Sequence, residues 1–137
     1  MQNPPPVQTA KSSTGLDENI AALLAYVFHW VSGLIFFLIE KESRLVRFHA
    51  MQSILLSVLV AVVLIVLMIV SFVLGLISTQ LPGFLGTIVS LLVTLVWVVF
   101  WIGILIAWIF CLIKAFQGTY FKLPIIGNFA EQFSAKK

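Results

Sequence analysis

The sequence predicts an all-α integral membrane protein with three transmembrane helices and a short C-terminal amphipathic helix at the membrane interface. Hydrophobic residues make up 61% of the 137-residue chain and charged residues only 9%, whereas an ordinary soluble domain carries about 25% charged residues. Charged side chains are also absent from two long stretches, residues 19–39 and residues 48–113. This composition argues against a soluble enzyme and predicts membrane spans.

Residues 1–16 are expected to form a flexible Pro-rich tail, because they contain three consecutive prolines and no apolar segment typical of a signal peptide. Residues 17–137 then form a single helical membrane domain. Its first span is predicted over residues 19–39, which as one helix would cover roughly 30 Å, the thickness of the hydrocarbon core. Asp17 is expected to cap the start of this helix.

As one helix, the second uncharged stretch would be about three times as long as one membrane crossing, so the chain must turn back within it. Pro82 and Gly83 follow a polar segment and form a strong turn signal. Dividing the stretch there predicts spans over residues 48–77 and 84–113. Both helices are expected to extend beyond these limits, and they must therefore tilt, kink or protrude from the bilayer.

The C-terminal segment has a different pattern. Between residues 125 and 135 apolar side chains recur at helical spacing opposite polar ones, which predicts a short interfacial helix. Three spans would place seven of the eight Lys and Arg residues on one side of the membrane, with only Lys11 on the other. The positive-inside rule then predicts the N-terminus outside and the C-terminus in the cytoplasm.

Several polar residues within or beside the spans are candidates for contact with a ligand or partner. His29 lies near the middle of the first span, where an ionisable group needs a partner. It is either a neutral imidazole hydrogen-bonded to a neighbouring helix or part of a proton relay or ligand contact. Ser53 belongs to a row of small residues on the second span, which favours close helix packing; a polar pathway is the alternative.

The third span carries small hydroxyl residues and tryptophans on one arc. Trp97 and Trp101 lie deeper than the interface at which tryptophan is usually found. They either fill the bundle core or an oligomer contact, or they line a groove for an acyl chain, an isoprenoid or a peptide. The residues on this arc are Thr87, Ser90, Thr94, Trp97, Trp101 and Trp108.

A polar collar is predicted where the second helix leaves the headgroup region. Its members are Arg44, Arg47, His49 and Gln52. Basic residues at this level anchor the topology and attract anionic lipid. Anchoring does not account for His49 and Gln52, which are expected to contact a phosphate, a partner or the returning C-terminal segment.

Enzyme chemistry has little support in the sequence. We find no Ser-His-acid set, no HExxH motif, no Gly-rich phosphate loop and no paired carboxylates within the spans. The single Cys111 permits neither an intrachain disulfide nor a cysteine metal site. We therefore expect no catalysis, no cofactor and no metal, and the scattered basic residues predict no nucleic-acid partner.

Three segments resemble a known family. The segment Asp17-Glu18-Asn19-Ile20-Ala21-Ala22, the block Arg47-Phe48-His49-Ala50-Met51-Gln52-Ser53, and the stretch from Gly118 to Gly127 are similar to a bacterial and archaeal family of small membrane proteins of unknown function. That family is related to the chloroplast inner-envelope import subunit Tic-twenty. The resemblance covers roughly residues 15–133. It implies a small helical protein of the cell membrane and, by analogy with the plant relatives, a role in a translocation channel.

Taken together, these patterns favour a non-enzymatic interaction or assembly subunit whose partners are the lipid bilayer, copies of itself or other membrane proteins. All three predicted spans carry a small or polar stripe that needs a partner. The alternative is a small transporter, a translocation-channel-like protein or a protein that handles lipids or hydrophobic ligands, with His29, the Ser and Thr rows and the tryptophans lining a path.

Overall fold

The computed structural model describes residues 10–135, and this part of the chain is all-helical, as predicted. Residues 1–9, which carry the prolines of the expected tail, lie outside the described residues, as do Lys136 and Lys137. The helices are α1 (Glu18–Val27), α2 (Trp30–Ile39), α3 (Arg44–Ser78), α4 (Gly83–Phe116) and α5 (Ile126–Ala135).

The first predicted span is a pair of antiparallel helices. Ser43, which follows α2, donates its hydroxyl hydrogen to the carboxylate of Glu18 at the start of α1 over 2.9 Å. Likewise, the hydroxyl of Ser13 donates to the carboxylate of Glu40 over 2.7 Å. The start of α1 and the end of α2 therefore lie side by side. The prediction of one helix over residues 19–39 is wrong, and each ten-residue helix of this hairpin is only about 15 Å long.

The hairpin turns at Phe28 and His29, and His29 adopts a positive φ of 52°. The hydroxyl of Ser32 satisfies two backbone groups at this turn: it accepts from the Phe28 N–H and donates to the Ala25 carbonyl, both at 3.0 Å. Ser53 on α3 donates to the His29 carbonyl at 2.9 Å. The Ser32 hydroxyl thus supplies hydrogen bonds where the helix breaks, whereas the His29 carbonyl keeps a bond from the Gly33 N–H at 3.0 Å and the Ser53 hydroxyl ties the turn to α3.

The carboxylate of Glu40 holds the segment that precedes α1. It accepts from the backbone N–H groups of Ser13, Glu42 and Ser43 at 2.8–3.0 Å. Burial alone would raise the pKa of Glu40, but these donors and the Ser13 hydroxyl outweigh burial and lower it. Residues 10–16, the described part of the expected tail, are thus fixed against the hairpin by a charged carboxylate.

The chain divides into two compact units, Met1–Ser57 with Phe110–Lys137, and Val58–Ile109. In the second unit α3 and α4 are joined by the turn that Pro82 predicts, and the Trp97 indole N–H donates to the Ser71 hydroxyl at 2.9 Å. Both long helices are apolar and long enough to cross a membrane, and they contain the spans predicted over residues 48–77 and 84–113.

The helix predicted over residues 125–135 is present as α5. It buries Ile126, Ala130 and Ser134, which are spaced four residues apart, and leaves the rings of Phe129 and Phe133 about half exposed. Because α5 buries this face within the first unit, its aromatic face is turned outward.

Two helical glycines give a matched test of the packing between the hairpin and α3. A Cβ atom added at Gly33 would lie 2.9 Å from the Ala50 carbonyl oxygen and 3.1 Å from the Ser53 Cβ, whereas one added at Gly75 would meet nothing within 4 Å. We expect Gly33→Ala to lower the free energy of unfolding by about 1–3 kcal/mol.

Gly75→Ala should leave this free energy unchanged or raise it by up to about 1 kcal/mol, because alanine is the better helix former. Thermal unfolding of both variants in detergent measures the difference. Equal effects of the two substitutions would contradict the observed packing of the hairpin on α3.

Candidate functional site

A buried polar cluster lies in the first unit, where α1, α3 and the segment after α4 meet. It consists of Tyr26, His49 and Gln52, whose side chains are at most 1% exposed. We call these three side chains the polar clasp. Two of them belong to the block of α3 in which the polar collar was predicted.

The hydrogen bonds of the polar clasp run in one direction. The amide of Gln52 donates to the Tyr26 hydroxyl oxygen at 3.1 Å, and that hydroxyl lies 3.0 Å from His49 Nδ1. His49 Nε2 is 2.9 Å from the carbonyl oxygen of Thr119. Because a carbonyl only accepts, Nε2 must carry a hydrogen, and Nδ1 of a neutral ring then accepts from the tyrosine.

Gln52 also fastens the segment that follows α4. Its amide nitrogen donates to the Phe121 carbonyl at 3.0 Å, and its amide oxygen accepts from the Leu123 N–H at 3.2 Å. Of the contacts expected for His49 and Gln52, the structure therefore contains the one to the returning C-terminal segment. Every buried side-chain nitrogen and oxygen among residues 10–135 has a hydrogen-bond partner, so the polar clasp has the properties of a structural tie.

Arg47 links three helices at the same end of the first unit. One guanidinium nitrogen, Nη1, donates to the carbonyl of Glu40 at 2.8 Å and to that of Phe37 at 3.3 Å. Nε lies 3.4 Å from the carbonyl oxygen of Ser134 near the end of α5, and the guanidinium carbon is 4.6 Å from the centre of the Phe37 ring. A cation at the C-terminal ends of helices also complements their dipoles.

The predicted residues do not converge on one site. Those in the first unit share its polar interior or its edge, although His29 is exposed at the hairpin turn. Trp97 and Trp101 belong to the second unit, where Trp97 bonds Ser71 and Trp101 is 53% exposed. The predicted residues of the first unit are His29, Arg44, Arg47, His49, Gln52 and Ser53.

Sequence reasoning missed Tyr26 and Glu40 as functional partners. A tyrosine in the middle of an apolar segment is a usable signal, since a buried tyrosine hydroxyl usually finds a hydrogen-bond partner. For Glu40 the sequence gives a weaker signal. The N–H groups of Glu42 and Ser43 are local donors, but the donors of Ser13 come from almost thirty residues away. In residues 10–135 no three His, Cys, Asp or Glu side chains are grouped so that they could hold a metal ion.

The second unit contains an apolar groove of about 240 Å³ between α3 and α4. A serine hydroxyl is the only polar side chain among its lining residues. They are Leu67, Val70, Ser71, Leu74, Val89, Leu92, Val93 and Val96.

Comparison with known proteins identifies relatives over most of the chain. Residues 16–130 match the model of the magnetosome magnetite crystal formation protein family. The chain is 40% identical to a UPF0132 membrane protein of Methanocaldococcus jannaschii over 90% of this chain and 94% of that protein. A UPF0132 membrane protein of Archaeoglobus fulgidus is 33% identical over 85% of this chain and 95% of its own. No solved structure matches.

Replacing Gln52 tests whether the polar clasp holds the segment after α4. Gln52→Leu keeps the size of the side chain but leaves the Phe121 carbonyl and the Leu123 N–H without their partner. We expect the free energy of unfolding to fall by about 1–3 kcal/mol for each group left without a partner. We also expect faster tryptic cleavage after the exposed Lys122.

Ser57→Ala is the control, because the Ser57 hydroxyl bonds only the Ser53 carbonyl one turn earlier, at 2.9 Å. This variant should unfold and be cleaved like the parent protein. If Gln52→Leu matched the parent in thermal unfolding and in cleavage, the structural role of the polar clasp would be refuted.

Proposed function

This chain belongs to the magnetosome magnetite crystal formation protein family, and we propose that it is a non-enzymatic integral membrane subunit that assembles with other membrane-embedded helices. The observation that carries this proposal is the exposure of the two long helices, α3 and α4. In the most apolar 18 residues of each helix, only 6% is buried by the rest of the chain. A lateral surface of this extent must be covered by lipid or by further helices.

Small and hydroxyl residues on one side of the second unit support helix assembly. A concave surface there is lined by Gly75, Ser78, Ser90 and Thr94, among others. The hydroxyls of Ser90 and Thr94 bond carbonyls of their own helix, so they stay satisfied in lipid while a neighbouring backbone approaches closely. The exposed ring of Trp101 lies further along the same helix.

We also propose a topology with two crossings, α3 and α4, and a re-entrant hairpin formed by α1 and α2. Each hairpin helix covers about half of the hydrocarbon core, and both ends of the hairpin lie together at Glu40. In this topology all eight Lys and Arg residues lie on one side of the membrane. The positive-inside rule assigns that side to the cytoplasmic face of the cell membrane. This proposed arrangement differs from the three spans expected from hydropathy and from the external N-terminus expected from the positive-inside rule.

Cysteine labelling in intact cells distinguishes the two topologies. In a Cys111→Ala background, we expect Thr79→Cys to react with a membrane-impermeant maleimide from outside. Lys11→Cys and Gln117→Cys should react only after permeabilisation, because the re-entrant hairpin keeps Lys11 on the cytoplasmic side. Labelling of Lys11→Cys in intact cells would instead establish three crossings.

One alternative function has a structural observation in its favour. The apolar groove between α3 and α4 could hold an acyl chain, which fits a protein that handles lipid or hydrophobic ligands. The resemblance to a family related to Tic-twenty implies a channel role, but the matched family and relatives give no link to Tic-twenty. The names of the relatives give a membrane location alone, so we extend neither that role nor magnetite formation to this chain.

Substitutions of two tryptophans on α4, Trp97 and Trp101, distinguish a role in assembly from a role in internal packing. Trp101→Leu should reduce the assembled fraction in mild detergent at unchanged thermal stability, since its ring is exposed. Trp97→Leu should lower thermal stability by about 1 kcal/mol, the usual worth of one hydrogen bond, because its indole bonds Ser71.

Light scattering after gel filtration and thermal unfolding measure the two effects. A parent protein that is monomeric at every concentration would refute self-assembly. A co-purifying lipid that Trp101→Leu loses, without any change in oligomeric state, would favour the lipid-handling alternative.

A further inference from the structure

A basic pocket of about 170 Å³ opens in the first unit, beside the start of α3 and the end of α5. Three of its lining side chains are cations and one is a carboxylate, so the pocket carries a net positive charge. The lining residues are Lys41, Glu42, Arg44, Arg47, Ser134 and Ala135.

The positive charge of this basic pocket is held in place by the fold. The guanidinium of Arg47 donates to the carbonyls of Phe37, Glu40 and Ser134. These hydrogen bonds hold its side chain in one orientation. The carboxylate of Glu40 is occupied by uncharged donors, chiefly the backbone of Ser43 and Ser13. Arg44 and Lys41 are exposed at the mouth of the pocket.

The surroundings of the basic pocket are apolar on the side of α5. Ser134 and Ala135 at the end of α5 line the pocket, and the same helix leaves Phe129 51% and Phe133 48% exposed. Aromatic rings on an amphipathic helix enter the boundary between headgroups and acyl chains. Basic pockets at the cytoplasmic ends of membrane helices attract anionic headgroups.

We propose that the basic pocket binds the phosphate of an anionic phospholipid, with Lys41 and Arg44 as direct contacts, Arg47 as a fixed charge behind them, and the exposed phenylalanines of α5 against the acyl chains. A phospholipid meets both halves of this surface at once, whereas a free phosphate would leave the phenyl rings in water. Zwitterionic lipid carries the same phosphate, so specificity comes from the net charge of the headgroup: the choline cation of phosphatidylcholine is repelled by the three basic side chains that line the pocket. This proposal does not depend on assembly of the chain with other helices.

The test compares two charge-matched double variants. Lys41→Gln with Arg44→Gln removes two cations of the basic pocket, and Lys11→Gln with Lys122→Gln removes two cations that do not line it. Binding of phosphatidylglycerol to the purified protein in detergent is measured by native mass spectrometry, with phosphatidylcholine as the zwitterionic probe.

We expect the pocket double variant to weaken phosphatidylglycerol binding about 30-fold, from the usual contribution of two basic residues near an anionic headgroup. The other double variant should remain within about threefold of the parent protein, and in the pocket double variant phosphatidylcholine binding should fall less than phosphatidylglycerol binding. Arg44→Lys, which keeps the charge, should retain most of the binding and guards against a folding defect.

Equal losses in the two double variants would show that overall charge, and not the basic pocket, attracts the lipid. Unchanged binding in the pocket double variant would overturn the proposal outright. Inorganic phosphate is the third probe: if it displaced phosphatidylglycerol at equal concentration, the pocket would be a site for free phosphate and the lipid assignment would be wrong.

Discussion

The buried amide of Gln52 is the contact on which the first unit depends. Within an apolar environment each polar atom needs a partner from the chain itself, because water is absent. The amide meets this need only when Tyr26 of α1 and the backbone of residues 121–123 both come to α3. One side chain therefore fixes the position of the hairpin and of the segment that leads to α5.

The serine hydroxyls at the hairpin turn follow the same rule. Ser32 supplies hydrogen bonds to backbone groups that an unbroken helix would have satisfied by itself, and Ser53 ties the turn to α3. Hydropathy alone predicts α3 and α4 correctly, since long uncharged stretches separated by a Pro-Gly turn leave few other arrangements. It does not predict the reversal after α1, because apolar side chains suit a crossing helix and a re-entrant hairpin equally well.

For the candidate site, the sequence predicts the residues on α3 but not the partners that they contact. Arg44, Arg47, His49 and Gln52 lie close together in the sequence on one helix, so their grouping follows from helical spacing. Besides Tyr26, the partners of His49 and Gln52 lie some 70 residues further along the chain, and these partners are backbone atoms. No residue type marks a backbone carbonyl as a partner, and for this reason a single sequence could offer the returning segment only as one of three alternatives.

The wide sequence separation within the polar clasp has a consequence for how the protein is made. Tyr26, His49 and Gln52 leave the ribosome long before residues 119–123, which complete their hydrogen bonds. Until those residues have been synthesised, His49 and Gln52 lack the backbone partners that they have in the folded chain, and contacts so distant along the chain form slowly. The polar clasp is therefore completed only after α4 has been synthesised, whereas the contacts of the hairpin with α3 need no later part of the chain.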